Sequence, residues 1–156
     1  MHQQCKLSMR AVVMTKPFDQ NLYDADDSAK NDLIEWLKVR GFDAWVNPDQ
    51  YGIDVLGIYD DRYYAFEVEV KHNWKDEIFP FDSVHYSARK RKFVLPDCAT
   101  FFVTMNDQRT HMLMVNGKDF MAGKVIQKNT IYTTAEWFVE VPTSRCIFRA
   151  LEKESL

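Results

Sequence analysis

The chain has 156 residues, 46% of them hydrophobic and 28% charged, with a formal net charge of −3. That length suits one domain around one core and is too short for two comfortable ones. The slight acidity excludes a protein that coats nucleic acid by bulk electrostatics, although local phosphate contacts stay open to it, and no stretch approaches the roughly 20 apolar residues of a bilayer span.

The expected organisation is a single domain over residues 1–156, with an N-terminal extension at 1–20 and a frayed tail at 150–156. Ala11-Val12-Val13-Met14 is the only apolar run near the start, far below a secretory core, so a cytoplasmic protein without a membrane is expected. Ala25, Ala29, Leu33, Trp36 and Leu37 then recur at helical spacing and predict a helix over about residues 25–40, with Asp24 as its N-cap. Its acids are Asp26, Asp27, Asp32 and Glu35.

Turn formers follow in Asn47-Pro48-Asp49-Gln50-Tyr51-Gly52, and an apolar run from Ile53 to Tyr59 carries one acid, Asp54. Asp60-Asp61 reads as a turn, and the aromatic-rich segment from Tyr63 to Lys71 reads as a second strand hairpinned to the first. Alternation sends Phe66, Val68 and Val70 into a core and puts Glu67, Glu69 and Lys71 together on the other face. Pairing of the two strands is expected to bring Asp54 near Glu69. Converging carboxylates form a hard-oxygen site for Mg²⁺ or Mn²⁺, and a lysine beside them can hold or polarise a water, which together suit metal-assisted phosphodiester hydrolysis.

The order of helix, Gly41-Phe42, Gly52-Ile53-Asp54-Val55 and Phe66-Glu67-Val68-Glu69-Val70-Lys71 resembles the PD-(D/E)XK nuclease superfamily, in its resolvase and restriction-endonuclease-like branch, over residues 25–72. The resemblance implies an α/β fold with a restriction-endonuclease-like core, a mixed sheet flanked by helices, to which a C-terminal β-hairpin region is added. It also implies that Asp54 and Glu69 bind the metal and that Lys71 positions the attacking water. Glu67 is an extra acid, either a further ligand or one that moves the metal from its usual place. Asp49, in Pro48-Asp49, is an alternative to Asp54 but lies among turn formers. Where resolvase-like members place an acid on the first helix this chain has Lys30, and Asp27 and Asp32 flank that position, with compensation of the helix dipole as their plain alternative.

Arg89-Lys90-Arg91-Lys92 follows an aromatic stretch and is the candidate phosphate grip, carried on a short helix around residues 84–93. Beyond it, Thr100–Met105 and Thr110–Val115 form a predicted hairpin, a further strand or two should lie in 130–141, and Trp137 with Phe138 should cover core and sheet edge. Three widely spaced cysteines, Cys5, Cys98 and Cys146, predict neither a disulfide nor a zinc finger. His72, His85 and His111 have no ligand spacing, and the absence of a Walker A or Gly-x-Gly-x-x-Gly stretch argues against a nucleotide cofactor.

The expected function is therefore Mg²⁺-dependent DNA hydrolysis, with Mn²⁺ as substitute, by an endonuclease rather than an exonuclease. A homodimer is expected because two strands must be cut. Two alternatives stand beside it: a catalytically inactive nuclease-fold module that binds nucleic acid or protein, and an acidic inhibitor of a DNA-binding protein.

Overall fold

A computed structural model describes residues 20–132 and 134–152. Helix α1 spans Gln20–Val39, longer at its start than the apolar spacing predicts, so Asp24 lies within the helix and not at its cap. Ala29, Leu33, Ile34 and Leu37 form its buried stripe. The helix stops at Gly41, whose φ of +94° suits glycine: the Gly41 N–H donates to the Lys38 carbonyl at 3.0 Å and the Phe42 N–H to that of Leu37 at 3.1 Å.

Among the described residues nine strands follow: β1 Asp43–Val46, β2 Val55–Tyr59, β3 Arg62–Val70, β4 Ser83–Ser87, β5 Ala99–Met105, β6 His111–Asn116, β7 Lys124–Lys128, β8 Glu136–Pro142 and β9 Ile147–Ala150. Six form one sheet in the order β1-β2-β3-β5-β6-β9, with β3 and β5 parallel and the other pairs antiparallel. The remaining three form a second, antiparallel sheet in the order β4-β8-β7.

The six-stranded sheet is covered on both faces, which is why β5 and β6 read as near-continuous apolar runs. Helix α1 covers one face, where Leu33 and Leu37 pack with Val55, Phe66, Val68, Val103 and Met112. On the other face Leu56, Ala65, Phe102 and Leu113 meet Val84, Tyr86, Val139 and Val141 of the small sheet. A short helix α2, Gly117–Met121, capped by the Asn116 side chain on the Asp119 N–H, brings Phe120 onto Phe102 with ring centroids 3.9 Å apart. The result is the mixed α/β architecture that the sequence predicts, with the small sheet as the larger cover of the second face.

Residues 84–93 differ from the expected short α-helix. They form β4 and then a 3₁₀ turn, Ala88–Phe93. The reason is burial with a period of two, since Val84, Tyr86 and Ala88 all face the core. Strands β7 and β9 were not expected, and Trp137 is largely solvent-exposed while Val139 and Val141 supply the core contacts of β8. Cys98 is disulfide-bonded, contrary to the expectation from cysteine count and spacing. The 1–19 part of the N-terminal extension and residues 153–156 of the tail lie outside the described residues; Ala150, the first residue of the expected tail, ends the strand Ile147–Ala150. Among the described residues no helix is long and apolar enough to cross a membrane.

Candidate active site

The site is built on the β2–β3 hairpin. Asp60 and Asp61 both have positive φ, 51° and 60°, the two-residue turn whose twist matches that of paired strands. This turn closes on the pair Tyr59–Arg62 and fixes Val55 opposite Phe66. One step further back, the register sets Asp54 across from Glu67, not from Glu69. Asp54 Oδ2 accepts the Val68 N–H at 2.8 Å, so the carboxylate is held where a ladder carbonyl would otherwise sit.

The approach to Asp54 is fixed by Asn47, which is 5% exposed. Its Nδ2 donates to the Ile53 carbonyl at 2.9 Å, its N–H to the Asp54 carbonyl at 2.9 Å, and its Oδ1 accepts the Asp49 N–H at 3.1 Å. Asp49 Oδ1 in turn accepts the Tyr51 N–H at 3.0 Å, a turn-forming bond within the loop. Asp54 is thus on the hairpin with Glu67, and Asp49 is engaged by the loop.

Glu67 lies on the side of β3 that the small sheet covers, and its side chain is only 11% exposed. Lys90 of the 3₁₀ turn reaches in beside it, 13% exposed, with Nζ 3.3 Å from Glu67 Oε2 and 3.3 Å from Glu69 Oε2. Burial pushes the Glu67 carboxyl up to about 8; Lys90 opposes the rise, and the charge of Asp54 and a hydrogen bond shared with it add to it. For Lys90, burial acts to lower the ammonium, but Glu69, Glu67 and Asp54 outweigh it and hold the group above the usual lysine range. Glu67 Oε1 is buried without a geometric hydrogen-bond partner.

The remaining predicted site residues are distributed unevenly. Lys71 donates its N–H to the Met105 carbonyl at 2.9 Å, and its Nζ lies 5.1 Å from the centre of the Phe81 ring, over an aromatic face. Asp32 is 2.9 Å from Arg109 Nε, on the β5–β6 loop, and so is not directed at the hairpin. Asp27 approaches Lys30 at 3.9 Å, and Lys30 Nζ itself reaches Asp54 Oδ1 at 3.4 Å. Of the basic run, Arg89 and Arg91 are exposed, Arg91 Nε donates to the Ala88 carbonyl at 3.3 Å, and Lys92 lies 5.3 Å from the Phe93 ring centre. Lys90, expected to grip phosphate from the surface, instead points into the acids.

Two side chains of this cluster were assigned differently from sequence. Lys30 was seen only as an occupant of a position where an acid was expected, and Lys90 only as one of four surface cations. Tyr86 was missed: its hydroxyl is 2.7 Å from Thr104 Oγ1, Thr104 stands across from Glu69 in β5, and burial, followed by the Glu69 charge, raises the phenol well above its ordinary range.

No protein-family model matches the chain, and comparison with curated proteins gives no match. Among solved structures the chain is similar to a Holliday junction resolvase from the archaeal hyperthermophile Archaeoglobus fulgidus, with a TM-score of 0.51 and 13% identity, over 77% of this chain and 85% of that one. At that identity the likeness shows the fold alone: a resolvase-like, restriction-endonuclease-like α/β architecture.

Proposed function

We propose that the chain is a metal-dependent nuclease that cleaves DNA phosphodiester bonds, as an endonuclease. The observation that carries this reading is Asp54 set across from Glu67 on the β2–β3 hairpin, with Lys90 joining Glu67 to Glu69, on a fold shared with a junction resolvase. Asp54 and Glu69 would hold Mg²⁺, or Mn²⁺ in its place, with Glu67 as a third donor.

The donor chemistry fits such a cation, since carboxylate oxygens are hard ligands and Glu67 Oε1 is buried and unpartnered. Among the described residues no group of three His, Cys, Asp or Glu side chains lies at metal-holding spacing, and the Lys90 ammonium stands between Glu67 and Glu69. When bound, the cation supplies charge neutralisation at the phosphoryl oxygen and a more acidic water. The chain's own part is positional. The Val68 N–H fixes Oδ2 of Asp54 and turns Oδ1 to Lys30, whose Nζ lies 3.4 Å away. Lys71, on the same face of the strand as Glu67 and Glu69, would orient the attacking water once it leaves the Phe81 ring. Arg89, Arg91 and Lys92 would hold flanking phosphates. A homodimer would present two such sites to two strands, and a monomer by light scattering at working concentration would remove that part.

A second reading, an inactive module that binds nucleic acid, is favoured by one observation: Lys30 and Lys90 already engage all three acids. Incubating supercoiled, linear, single-stranded and four-way-junction DNA with Mg²⁺ or Mn²⁺ separates the two. The nuclease reading expects cleavage by the wild type and a loss of roughly 100-fold or more in Asp54→Asn and Lys71→Ala. Equal cleavage by all three proteins removes the site assignment, and DNA binding without cleavage supports the module.

A further inference from the structure

Lys90 reaches the acids from outside the hairpin. Its ammonium is equidistant, at 3.3 Å, from Glu67 Oε2 and Glu69 Oε2, the place from which one cation would bridge both carboxylates. We propose that Lys90 is the resident counter-cation of the site and competes with a divalent ion for Glu67 and Glu69, so that binding the ion requires the Lys90 side chain to swing out. The inference rests on the metal site of the proposed nuclease but concerns what controls its occupancy.

Charge and space both favour the exchange. In the metal-bound cluster, with Asp54, Glu67 and Glu69 all as carboxylates, keeping both Lys30 and Lys90 leaves one positive charge in excess, and losing Lys90 makes the cluster neutral. In a poorly hydrated cluster that difference is large. An ion that bridges Oε2 of Glu67 and Oε2 of Glu69 also takes the place the ammonium holds, because Mg²⁺ needs those oxygens at about 2.0–2.1 Å. An exit exists. Lys90 sits on a 3₁₀ turn of six residues whose neighbours Arg89 and Arg91 are exposed, and its side chain retains contact with solvent. Lys30 does not play the same part, since it touches only Asp54 of the three acids and also lies near Asp27.

The test uses the full chain without nucleic acid. Mg²⁺ is titrated into protein carrying ¹⁵N-labelled lysine while the side-chain ammonium signals are followed by NMR, with the Lys90 signal identified by its absence in Lys90→Met. Mg²⁺ affinity is measured in parallel by calorimetry for the wild type, Lys90→Met and Lys90→Arg. The Lys90 signal, slow to exchange in the metal-free protein, should be lost or strongly shifted as Mg²⁺ binds. Lys90→Met should bind Mg²⁺ roughly tenfold tighter or more, and Lys90→Arg no tighter than the wild type. An unmoved Lys90 signal at saturating Mg²⁺, or a Lys90→Met affinity equal to or below that of the wild type, overturns the proposal. Should Lys90→Met not fold without metal, its signal is identified from Lys90→Arg and the wild-type titration decides. Absence of Mg²⁺ binding in all three proteins overturns it together with the metal site. Mg²⁺-dependent cleavage by a wild type whose Lys90 signal does not move overturns the exchange alone and leaves the nuclease standing.

Discussion

Two clusters of charged side chains sit on the two sheets, and their contact distances are nearly the same. In the hairpin cluster Lys90 lies 3.3 Å from Glu67 and from Glu69. On the outer face of the small sheet, His85 Nε2 lies 2.9 Å from Glu140 Oε2, Ser83 Oγ 3.2 Å from the same ring nitrogen, and Lys128 Nζ 2.7 Å from Nδ1. Their electrostatics are opposite. Burial raises Glu67, whereas a hydrogen bond from His85 lowers Glu140, which remains about one-third exposed. Distance alone therefore does not mark a functional cluster. What separates them is the small sheet itself, which lies over Glu67, whereas Glu140 stands on that sheet's other face, about one-third exposed.

The sharpest way to break this comparison is to remove one partner from each cluster. Lys90→Ala leaves the buried Glu67 without its cation, beside a Glu69 that is about one-third exposed, and the expected loss is about 3 kcal/mol. His85→Ala opens a solvated pair and should cost under about 1 kcal/mol. Urea denaturation of both variants at pH 7 checks this. Similar losses in the two would show that the clusters are equivalent and that Lys90 is not held by burial.

Next in size is the pH dependence, where the two clusters should slope in opposite directions. Glu67 is raised from an ordinary value of 4.5 to about 8, so between those values the folded state binds the proton more tightly than the unfolded chain. Its contribution to stability is full below the unfolded value and is lost as pH rises through about 8. Glu140 is lowered, so its contribution is present above the ordinary carboxylate value and is lost as pH falls through the lowered one. Glu67→Gln should flatten the loss of stability on the way from pH 5 to pH 9, and Glu140→Gln should leave that limb as it is. A wild-type stability that does not fall between pH 5 and pH 9 would contradict the raised carboxyl.

The hairpin that carries the first cluster is plain in the sequence, because Asp60-Asp61 punctuates two apolar-alternating runs and the turn is local. Its register was legible as well: a two-residue turn closing on Tyr59–Arg62 puts Asp54 across from Glu67. The expectation of Asp54 near Glu69 came from pairing the strands without counting from the turn, and the count gives Glu67 as the partner. The cover of the cluster is a different matter. Val84, Tyr86 and Ala88 do alternate, but the basic run that follows them resembles a helix face. In β7 only Ile126 is even partly buried and in β9 no residue is, so neither strand has a buried face to announce it. Lys90 meets acids 21 and 23 residues away by side-chain contact between the 3₁₀ turn after β4 and strand β3. No spacing rule reaches that far.

A smaller effect probes the strand pair beneath the outer cluster. A Cβ placed on Gly123 would lie 2.5 Å from Val139 Cγ1, 2.9 Å from the Glu140 carbonyl oxygen and 3.1 Å from that of Phe120. Two of the three neighbours are backbone, so the turn between α2 and β7 cannot yield by a rotamer change. Gly123→Ala should cost about 1–3 kcal/mol through overpacking. A thermal melt within error of the wild type would show that β7 and the small sheet adjust freely, and then that sheet could not be the rigid cover that distinguishes Glu67 from Glu140.

The smallest expected effect concerns the outer cluster itself. Ser83, His85 and Glu140 are the residue types of a hydrolytic triad, yet both Ser83 Oγ and Glu140 Oε2 approach Nε2 of the ring, while Nδ1 faces Lys128. A triad needs the hydroxyl and the acid on different ring nitrogens, so that one orients the base while the other gives up its proton. Here they compete for the same nitrogen, and Ser83 Oγ also donates to Glu140 at 3.3 Å. The arrangement is a polar network across β4 and β8 on a solvated face, of the kind that adds a few tenths of a kcal/mol. Glu140→Gln should therefore shift stability by less than about 1 kcal/mol and leave DNA cleavage at its wild-type rate, as judged by melting and by the same cleavage assay. If Glu140→Gln instead abolishes cleavage without unfolding the chain, the chemistry lies on the small sheet and not on the hairpin.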